Sequence, residues 1–235
     1  MTVNMKMEYL RFFYIERNKM DLLKNILNDT NEIMGRKTRL FRDVAKKYKK
    51  EISDLDISEI YSLCESLLNK RTRAATIIAY EIVFYSRKKF DKNTFTVFEK
   101  WLYEYIEDWW DCDDFMTHAF QYLLMEYPGN LSRINKWITH EKFAVRRSAA
   151  VILIVPARKG LLEEKIVFNI CNLLIDDPHY LVQKGYGWLL KESCKKYHDA
   201  VVKFLENNVS RISRTAFRYA LEKLPKDEKE RLMLL

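Results

Sequence analysis

The sequence contains few of the residues that form turns, with 5 glycines and 4 prolines among 235 residues. A β-sandwich or barrel of this length needs many tight turns, whereas long helices joined by short loops need few. With 48% hydrophobic and 31% charged residues, the chain has the composition of a globular protein with a continuous core. The scarcity of turn-forming residues therefore predicts an all-helical fold.

Cysteines are also scarce, and Cys64, Cys112, Cys171 and Cys194 are far apart and form no CxxC pair. Neither a disulfide framework nor a zinc site is expected, and a reduced, cytoplasmic compartment is the simplest interpretation. No run of about 18 uncharged apolar residues is present, so no membrane span is expected. The first 20 residues carry charges among their apolar positions and lack the core of a signal peptide.

Acidic residues are outnumbered by basic ones, which gives a net charge of +8 and a pI of about 9.1. The excess is typical of a polyanion-binding surface, although it also serves solubility. The sequence has no basic tail, so a positive field has to come from the folded surface.

Helical periodicity runs through nearly the whole chain without a Ser-, Gly- or Pro-rich linker, which predicts one domain over residues 1–235. Tyr127-Pro128-Gly129 is expected to end one helix, and Asp177-Pro178 to supply an N-cap followed by a proline at the first helical position. The predicted helices cover residues 19–28, 38–50, 57–70, 73–88, 94–106, 112–126, 131–138, 142–155, 162–175, 178–196, 199–207 and 213–224.

Three predicted helices share a pattern in which a cation precedes small residues and then bulky apolar ones. The cations are Arg73, Arg147 and Lys184, which are 74 and 37 residues apart, and halving the first interval predicts a further unit near Trp110. Two helices per unit at such a period are typical of a HEAT/armadillo-like solenoid, an α-α superhelix. We therefore predict divergent helices over residues 1–50 and a repeat stack over 51–225, with these positions along a concave basic groove. An irregular helical bundle is the alternative.

The segment DWWDCDD, residues 108–114, places two indoles and four carboxylates in seven residues. If the segment is helical, Trp110 and Asp114 are four residues apart and share a face. If instead a helix begins at Asp111, that residue is the N-cap and Asp114 lies at N3 in a variant capping box. The second arrangement gives no role to a second tryptophan.

Indole faces beside an ionised carboxylate attract a cation. Arg147, expected on the same wall, would lower the pKa of Asp114 and keep it ionised, and Trp188 follows Lys184 by one helical turn. A cation-stabilising pocket on a basic wall is suited to nucleic acid in which the reacting group becomes positive.

Three segments, in order, resemble the AlkD-type DNA alkylation repair family, bacterial DNA glycosylases built from HEAT-like repeats. They are WWDxxD at 109–114, KWI at 136–138 followed by RSAA at 147–150, and VQKGYGWLLKE at 182–192. The resemblance extends over about residues 70–196. Before it, the segment IMGRKTRLFR at 33–42 keeps the family's glycine but lacks its proline.

The resemblance implies that Asp114 is the essential aspartate, that Trp110 and Trp188 flank it, and that Arg147 binds a backbone phosphate. The implied reaction is hydrolysis of the N-glycosidic bond of cationic N3- or N7-alkylated purines in double-stranded DNA, without a metal or an organic cofactor. The carboxylate would stabilise the oxocarbenium-like sugar and orient the attacking water. Asp114→Asn is then expected to reduce base release at least about a hundredfold.

The neighbouring acids do not match the family's aspartate, so Asp111 is left as the helix cap and Asp113 as an extra negative charge that could raise the pKa of Asp114. His118 follows Asp114 by one helical turn. It is either a proton relay or a partly buried structural histidine, and we favour the structural role. No two histidines have metal-ligand spacing. The candidate phosphate contacts are Arg71, Arg73, Arg146, Lys184, Arg214 and Arg218.

The leading hypothesis is a monomeric DNA glycosylase. One alternative is a HEAT-like protein that binds damaged or branched DNA without cleaving the glycosidic bond, and another is a protein-binding scaffold. The retained aspartate, arginine and indoles favour the enzyme over the DNA-binding protein, and the positive net charge favours either over the scaffold.

Overall fold

The computed structural model describes residue 17, residues 19–33 and residues 37–235 of the chain. The N-terminal twenty residues therefore lie largely outside the described residues, as does Met34-Gly35-Arg36 of the segment that departs from the family pattern. No strand occurs in these ranges, so the prediction of an all-helical fold is confirmed. The contacts divide the chain into two compact units, Met1–Phe90 and Asp91–Leu235.

The first unit is built around the helix α5. Residues 19–31 form α1, and the helices that follow are α2 (Thr38–Lys47), α3 (Lys49–Asp54), α4 (Ile57–Leu68) and α5 (Arg73–Tyr85). A short 3-10 turn, Arg87–Lys89, ends the unit. Helix α5 packs against α2 and α4. Its side chains at 75–80, 82 and 83 are buried, which leaves little polar surface on this helix.

Local signals fix where the helices of the first unit begin. Asp56 accepts a hydrogen bond from the backbone N–H of Glu59 at 2.9 Å, and the Glu59 carboxylate accepts one from the backbone N–H of Asp56 at 2.7 Å. This capping box starts α4. Thr72 caps α5 in the simpler way, by accepting from the N–H of Ala75.

The second unit has the long helix α12 at its centre. Its helices are α6 (Thr94–Tyr105), α7 (Trp109–Phe115), α8 (Gln121–Glu126), α9 (Phe143–Val151), α10 (Ile154–Lys159), α11 (Glu164–Leu174), α12 (Tyr180–Asn207), α13 (Arg214–Ala220) and α14 (Lys226–Met233). A π-helical turn, Met116–Phe120, joins α7 to α8, and 3-10 segments cover Pro128–Trp137 and Leu221–Lys223. Helix α12 packs against α9, α10, α11 and α13.

The small residues of α12 allow this close packing. A Cβ atom on Gly187 would lie 2.8 Å from the carbonyl oxygen of Ala216 and 2.9 Å from Cβ of Tyr219. Only a glycine lets α12 and α13 approach so closely. The small residue at this position of the repeated segment thus permits a close contact between helices.

Several boundaries differ from those that the sequence predicts. Residues 131–137 of the helix predicted over 131–138 lie in 3-10 rather than α-helical structure. Helix α12 continues through the predicted break near 197 with a kink at Tyr197 (φ −127°, ψ 43°). The prediction that Asp177 caps α12 is wrong: His179 is the N-cap, and the Asp177 carboxylate instead accepts from the N–H of His179 and binds Arg146. Tyr127-Pro128-Gly129 does end α8, as predicted.

Candidate functional site

The capping of α7 decides which side chains of DWWDCDD share a face. Asp108 is the N-cap, and its carboxylate accepts a hydrogen bond from the N–H of Trp109 at 2.7 Å. Asp111 lies at N3 and accepts from the N–H of Asp108 at 3.0 Å, which completes a capping box. The prediction that Asp111 is the N-cap is therefore wrong, because the helix begins three residues earlier than that arrangement requires.

Asp111 is nearly fully buried and accepts two further hydrogen bonds, from the N–H groups of Glu107 and Cys112. Burial has the largest effect on this carboxyl group and raises the pKa of Asp111 from 3.8 to about 6, although the hydrogen bonds from the three N–H donors act to lower it. The side chain is therefore a structural acid at the start of α7, and it titrates well above an ordinary aspartate.

This shift predicts a pH dependence of stability. The folded protein holds the Asp111 proton to a higher pH than the unfolded chain, so the free energy of unfolding falls as the pH rises from about 4 to about 6. The contribution is on the order of 2–3 kcal/mol. The free energy of unfolding of Asp111→Asn, measured with urea, should change less with pH over this window than that of the native protein. Asp113 also has a raised pKa and acts in the same direction, but it is present in both proteins, and the raised pKa of His198 acts above its ordinary value of 6.5. Parallel curves for the two proteins would contradict the assignment.

Asp113 lies four residues after Trp109, and its carboxylate forms a bidentate ion pair with Arg147 of α9. The Arg147 Nε–Asp113 Oδ1 and Nη2–Oδ2 distances are both 2.9 Å. The third guanidinium nitrogen, Nη1, donates to the carbonyl oxygen of Leu181 at the start of α12. The Arg147 side chain is 6% exposed and that of Asp113 is 21% exposed, so the arginine lies beneath a carboxylate that still reaches solvent.

The electrostatics of this pair follow from its partial burial. Loss of hydration disfavours the charge on each partner. For Asp113 this effect is the larger one and raises the pKa, although the Arg147 guanidinium acts to lower it. For Arg147 the hydrogen bonds and the charge of Asp113 outweigh burial and raise its pKa further. Arg147 is therefore permanently charged and serves as a fixed counter-ion to a carboxylate with weakened hydration.

Helix α12 holds the arginine from the other side. A Cβ atom on Gly185 would lie 3.2 Å from Cγ of Arg147 and 3.4 Å from its Nη1. The glycine leaves room for the guanidinium to reach both Asp113 and the carbonyl of Leu181. The small residues of the repeated pattern thus serve the ion pair as well as the helix packing.

Asp113 and Arg147 open onto a cleft of about 590 Å³, a volume within the range of small-molecule sites. Four aromatic rings and two lysines contribute to its walls, and Trp109 and Tyr180 are the more exposed of the rings, at 47% and 56%. The lysine ammonium groups lie over rings, Lys184 at 5.4 Å from the centroid of Tyr180 and Lys191 at 5.2 Å from that of Tyr219. The lining residues are Trp109, Asp113, Arg147, Tyr180, Leu181, Lys184, Trp188, Lys191 and Tyr219.

The structure brings Arg147, Lys184 and Trp188 together, as the sequence predicts, but with a different carboxylate and a different indole. Trp110 and Asp114 do not line this cleft in the described part of the chain; they lie one residue further along α7, on a neighbouring face. Arg147 thus pairs with Asp113 rather than with Asp114, contrary to the expectation from the sequence.

Asp114 has a different environment. Its carboxylate is 13% exposed and lies 3.9 Å from Nδ1 of His118, and the same nitrogen lies 2.9 Å from the carbonyl oxygen of Asp114. His118 belongs to the π-helical turn that follows α7. The structural role and the proton relay considered for His118 both stay predictions.

The predicted phosphate contacts have different surroundings. Arg146 binds Asp177 with Nε–Oδ2 at 2.6 Å and donates to the carbonyls of His140 and Glu141, so it braces the segment before α9. Arg214 and Arg218 are exposed and four residues apart on α13, the helix that carries Tyr219. In the first unit, Arg71 is exposed in the turn before α5 with a φ of 53°, and Arg73 is exposed as the first residue of that helix.

Besides Trp109 and Asp113, sequence reasoning missed four lining residues of the cleft, namely Tyr180, Leu181, Lys191 and Tyr219. Tyr180 and Lys191 lie at positions −8 and +3 relative to Trp188 on α12, so the helical period around a recognised indole could have found them. Tyr219 comes from another helix and has no sequence signal of its own. Among the described residues, no group of three or more His, Cys, Asp or Glu side chains could hold a metal ion. Within the same ranges, no helix has the length and apolar character needed to span a bilayer.

Comparisons with known proteins agree with this architecture. A sequence model of the family described as DNA alkylation repair enzyme matches residues 14–224. The chain is similar to a solved structure described as a predicted DNA alkylation repair enzyme from Enterococcus faecalis, with a TM-score of 0.72 and 16% identity over 89% of this chain and 96% of that one. At that identity the likeness shows the fold alone. No curated protein matches the chain.

Proposed function

The chain belongs to the DNA alkylation repair enzyme family, and we propose that it is a DNA glycosylase that hydrolyses the N-glycosidic bond of cationic N3- or N7-alkylated purines in duplex DNA. The observation that carries the proposal is the Asp113 carboxylate, oriented by Arg147 and partly exposed in a cleft that also contains the indoles of Trp109 and Trp188. The carboxylate and the indole faces can attract a cation, while the lysines of the same cleft suit a polyanion such as DNA.

The proposed chemistry uses the charge of the lesion itself. An alkylated purine that already carries a positive charge is a good leaving group, so the glycosidic bond can break with little acid assistance. The sugar then becomes oxocarbenium-like, and Asp113 stabilises that charge and orients the water that attacks the anomeric carbon. The faces of Trp109 and Trp188 add cation–π stabilisation. No cofactor takes part in this scheme.

Arg147 has a different role here from the one that the family resemblance implies. All three of its guanidinium nitrogens are engaged within the protein, two with Asp113 and one with the carbonyl of Leu181. We therefore assign it to holding Asp113 in place rather than to binding a phosphate. Asp113 and Trp109 likewise take over the roles proposed from the sequence for Asp114 and Trp110.

We propose phosphate contacts for basic residues of each unit, among which Lys191 is also ion-paired with Glu222. Lys184 and Lys191 line the cleft, and Arg214 and Arg218 are exposed on the helix of Tyr219. Arg71 and Arg73 of the first unit complete the proposed set, whereas Arg146 is engaged with Asp177. Such contacts hold the DNA backbone without reading its sequence. We also propose that the protein acts as a monomer in the cytoplasm.

The proposal is tested by incubating the native protein with duplex DNA that contains 7-methylguanine and 3-methyladenine. We expect free methylated base to appear, as measured by chromatography, above the spontaneous release from the same DNA without protein. Unmodified duplex is the control and should release no base.

A second candidate function is binding of damaged DNA without cleavage, and one observation favours it. Both carboxylate oxygens of Asp113 are engaged by Arg147, which leaves fewer lone pairs for a water molecule. Native protein that binds the methylated duplex at low salt without releasing base would support this function. Failure to bind DNA at all would leave a protein-binding scaffold.

A further inference from the structure

Glu192 is a buried carboxylate that the proposed chemistry does not use. It lies on α12 one helical turn after Trp188, and its side chain is 7% exposed. Buried carboxylates are rare unless they are paired, because loss of hydration is costly. The burial of the Glu192 carboxylate is therefore expected to have a structural or functional reason.

Its two oxygens face different partners. Oε1 accepts a hydrogen bond from the indole Nε1 of Trp188 at 3.4 Å. Oε2 lies 2.7 Å from Nζ of Lys223, in the 3-10 turn after α13, and 3.8 Å from Nη1 of Arg158 on α10. The carboxylate thus connects three segments and directs its remaining oxygen to a ring of the cleft.

We propose that Glu192 is a positioning residue, in which the ion pairs with Lys223 and Arg158 fix a carboxylate that in turn holds the indole of Trp188 against the cleft. The inference rests on the proposed function, because the ring it orients is one of the two that stabilise positive charge. An anionic acceptor at the indole N–H also increases the electron density of the ring, which strengthens attraction of a cation to its face.

The exposed fractions of Lys223 and Arg158 show that Glu192 can be replaced without leaving a buried, unpaired cation. The Lys223 and Arg158 side chains are 44% and 45% exposed, so each can be hydrated when Glu192 is replaced. Glu192→Leu keeps most of the side-chain volume and removes the acceptor. Glu192→Gln keeps an acceptor oxygen for the indole and removes the charge.

The experiment measures the Trp188 indole directly and the reaction separately. Trp188 emission is obtained by subtracting the fluorescence of the Trp188→Phe form of each variant. The rate of 7-methylguanine release is measured under single-turnover conditions beside the dissociation constant for DNA. We expect Glu192→Leu to shift the Trp188 emission and to slow release about fivefold to tenfold, with DNA affinity nearly unchanged.

Two further variants separate positioning from general stability. Glu192→Gln keeps one acceptor oxygen, which can serve the indole or Lys223 but not both, so its Trp188 emission and its rate should lie between those of the native protein and Glu192→Leu. Glu206→Gln, which removes an exposed ion pair with Arg231 on the same helix, should behave as the native protein. If Glu192→Leu does not fold, Lys223→Met takes its place, with a shifted Trp188 emission again expected.

Unchanged Trp188 emission in the Leu variant would overturn the inference. Equal loss of rate in the Leu and Gln variants, together with a lowered Tm in both, would also overturn it, since that pattern indicates only a structural role. If the native protein releases no base, the proposed function fails, while the emission measurements still decide whether Glu192 positions the indole.

Discussion

Replacing Asp113 by asparagine is expected to slow base release at least about a hundredfold, because the change removes the negative charge that stabilises the oxocarbenium-like sugar. Asparagine has nearly the same shape and can still accept one hydrogen bond from Arg147. DNA affinity should therefore change little, so the loss should appear in the single-turnover rate rather than in binding.

Asp114→Asn is the matched control, since it makes the same chemical change one residue further along the same helix. Asp114 does not line the cleft and lies beside His118 instead. Its asparagine variant is expected to stay within a few-fold of the native rate. If the Asp114 variant loses activity and the Asp113 variant keeps it, the assignment reverts to the one that the sequence alone suggests.

Replacing Arg147 by methionine is expected to have the second large effect, on both stability and activity. The arginine side chain is nearly fully buried, and its loss leaves the Asp113 carboxylate and the Leu181 carbonyl without their partner. Breaking a buried ion pair in this way lowers the free energy of unfolding by about 2–4 kcal/mol, allowing for the partial exposure of Asp113. Urea unfolding measures the change.

The same substitution should affect the reaction in a pH-dependent manner. Without the guanidinium, the pKa of Asp113 rises further, so the rising limb of the activity profile should move to higher pH. The double variant with Asp113→Asn should recover part of the stability but none of the activity. Arg133→Met, which breaks an ion pair with Glu99 elsewhere in the second unit, is the control: it should lower stability while leaving base release unchanged. An unchanged activity profile for Arg147→Met would contradict the proposed role of the pair.

Much of the helical architecture could be predicted from the sequence, because it depends on periodic burial and on few turn residues. The sequence also predicts Arg147, Lys184 and Trp188 as residues of one wall, since their segments carry recognisable spacing. The helix α14 was missed because its sequence, KDEKERLM, is mostly polar and buries little beyond Leu232. Such a helix has almost no hydrophobic period to detect.

The phase of α7 could not be predicted for a physical reason. The segment contains four aspartates, and several of them are chemically suitable as an N-cap. A helix of seven residues is too short for its own periodicity to decide between them. The choice is made by tertiary packing, since Cys112 and Phe115 are fully buried against the rest of the second unit. Tyr219 escaped prediction for a related reason, because only the close approach of α13 to Gly187 brings it to the cleft.

The doubled residues of DWWDCDD have a consequence for how this protein could change in evolution. Helix α7 carries two indole–carboxylate pairs, Trp109 with Asp113 and Trp110 with Asp114, which are rotated by about 100° from each other. A mutation that repacked the buried side of the helix could exchange one pair for the other without altering either. The fit of Cys112 and Phe115 in the core would then decide which of two chemically similar pairs faces the proposed site.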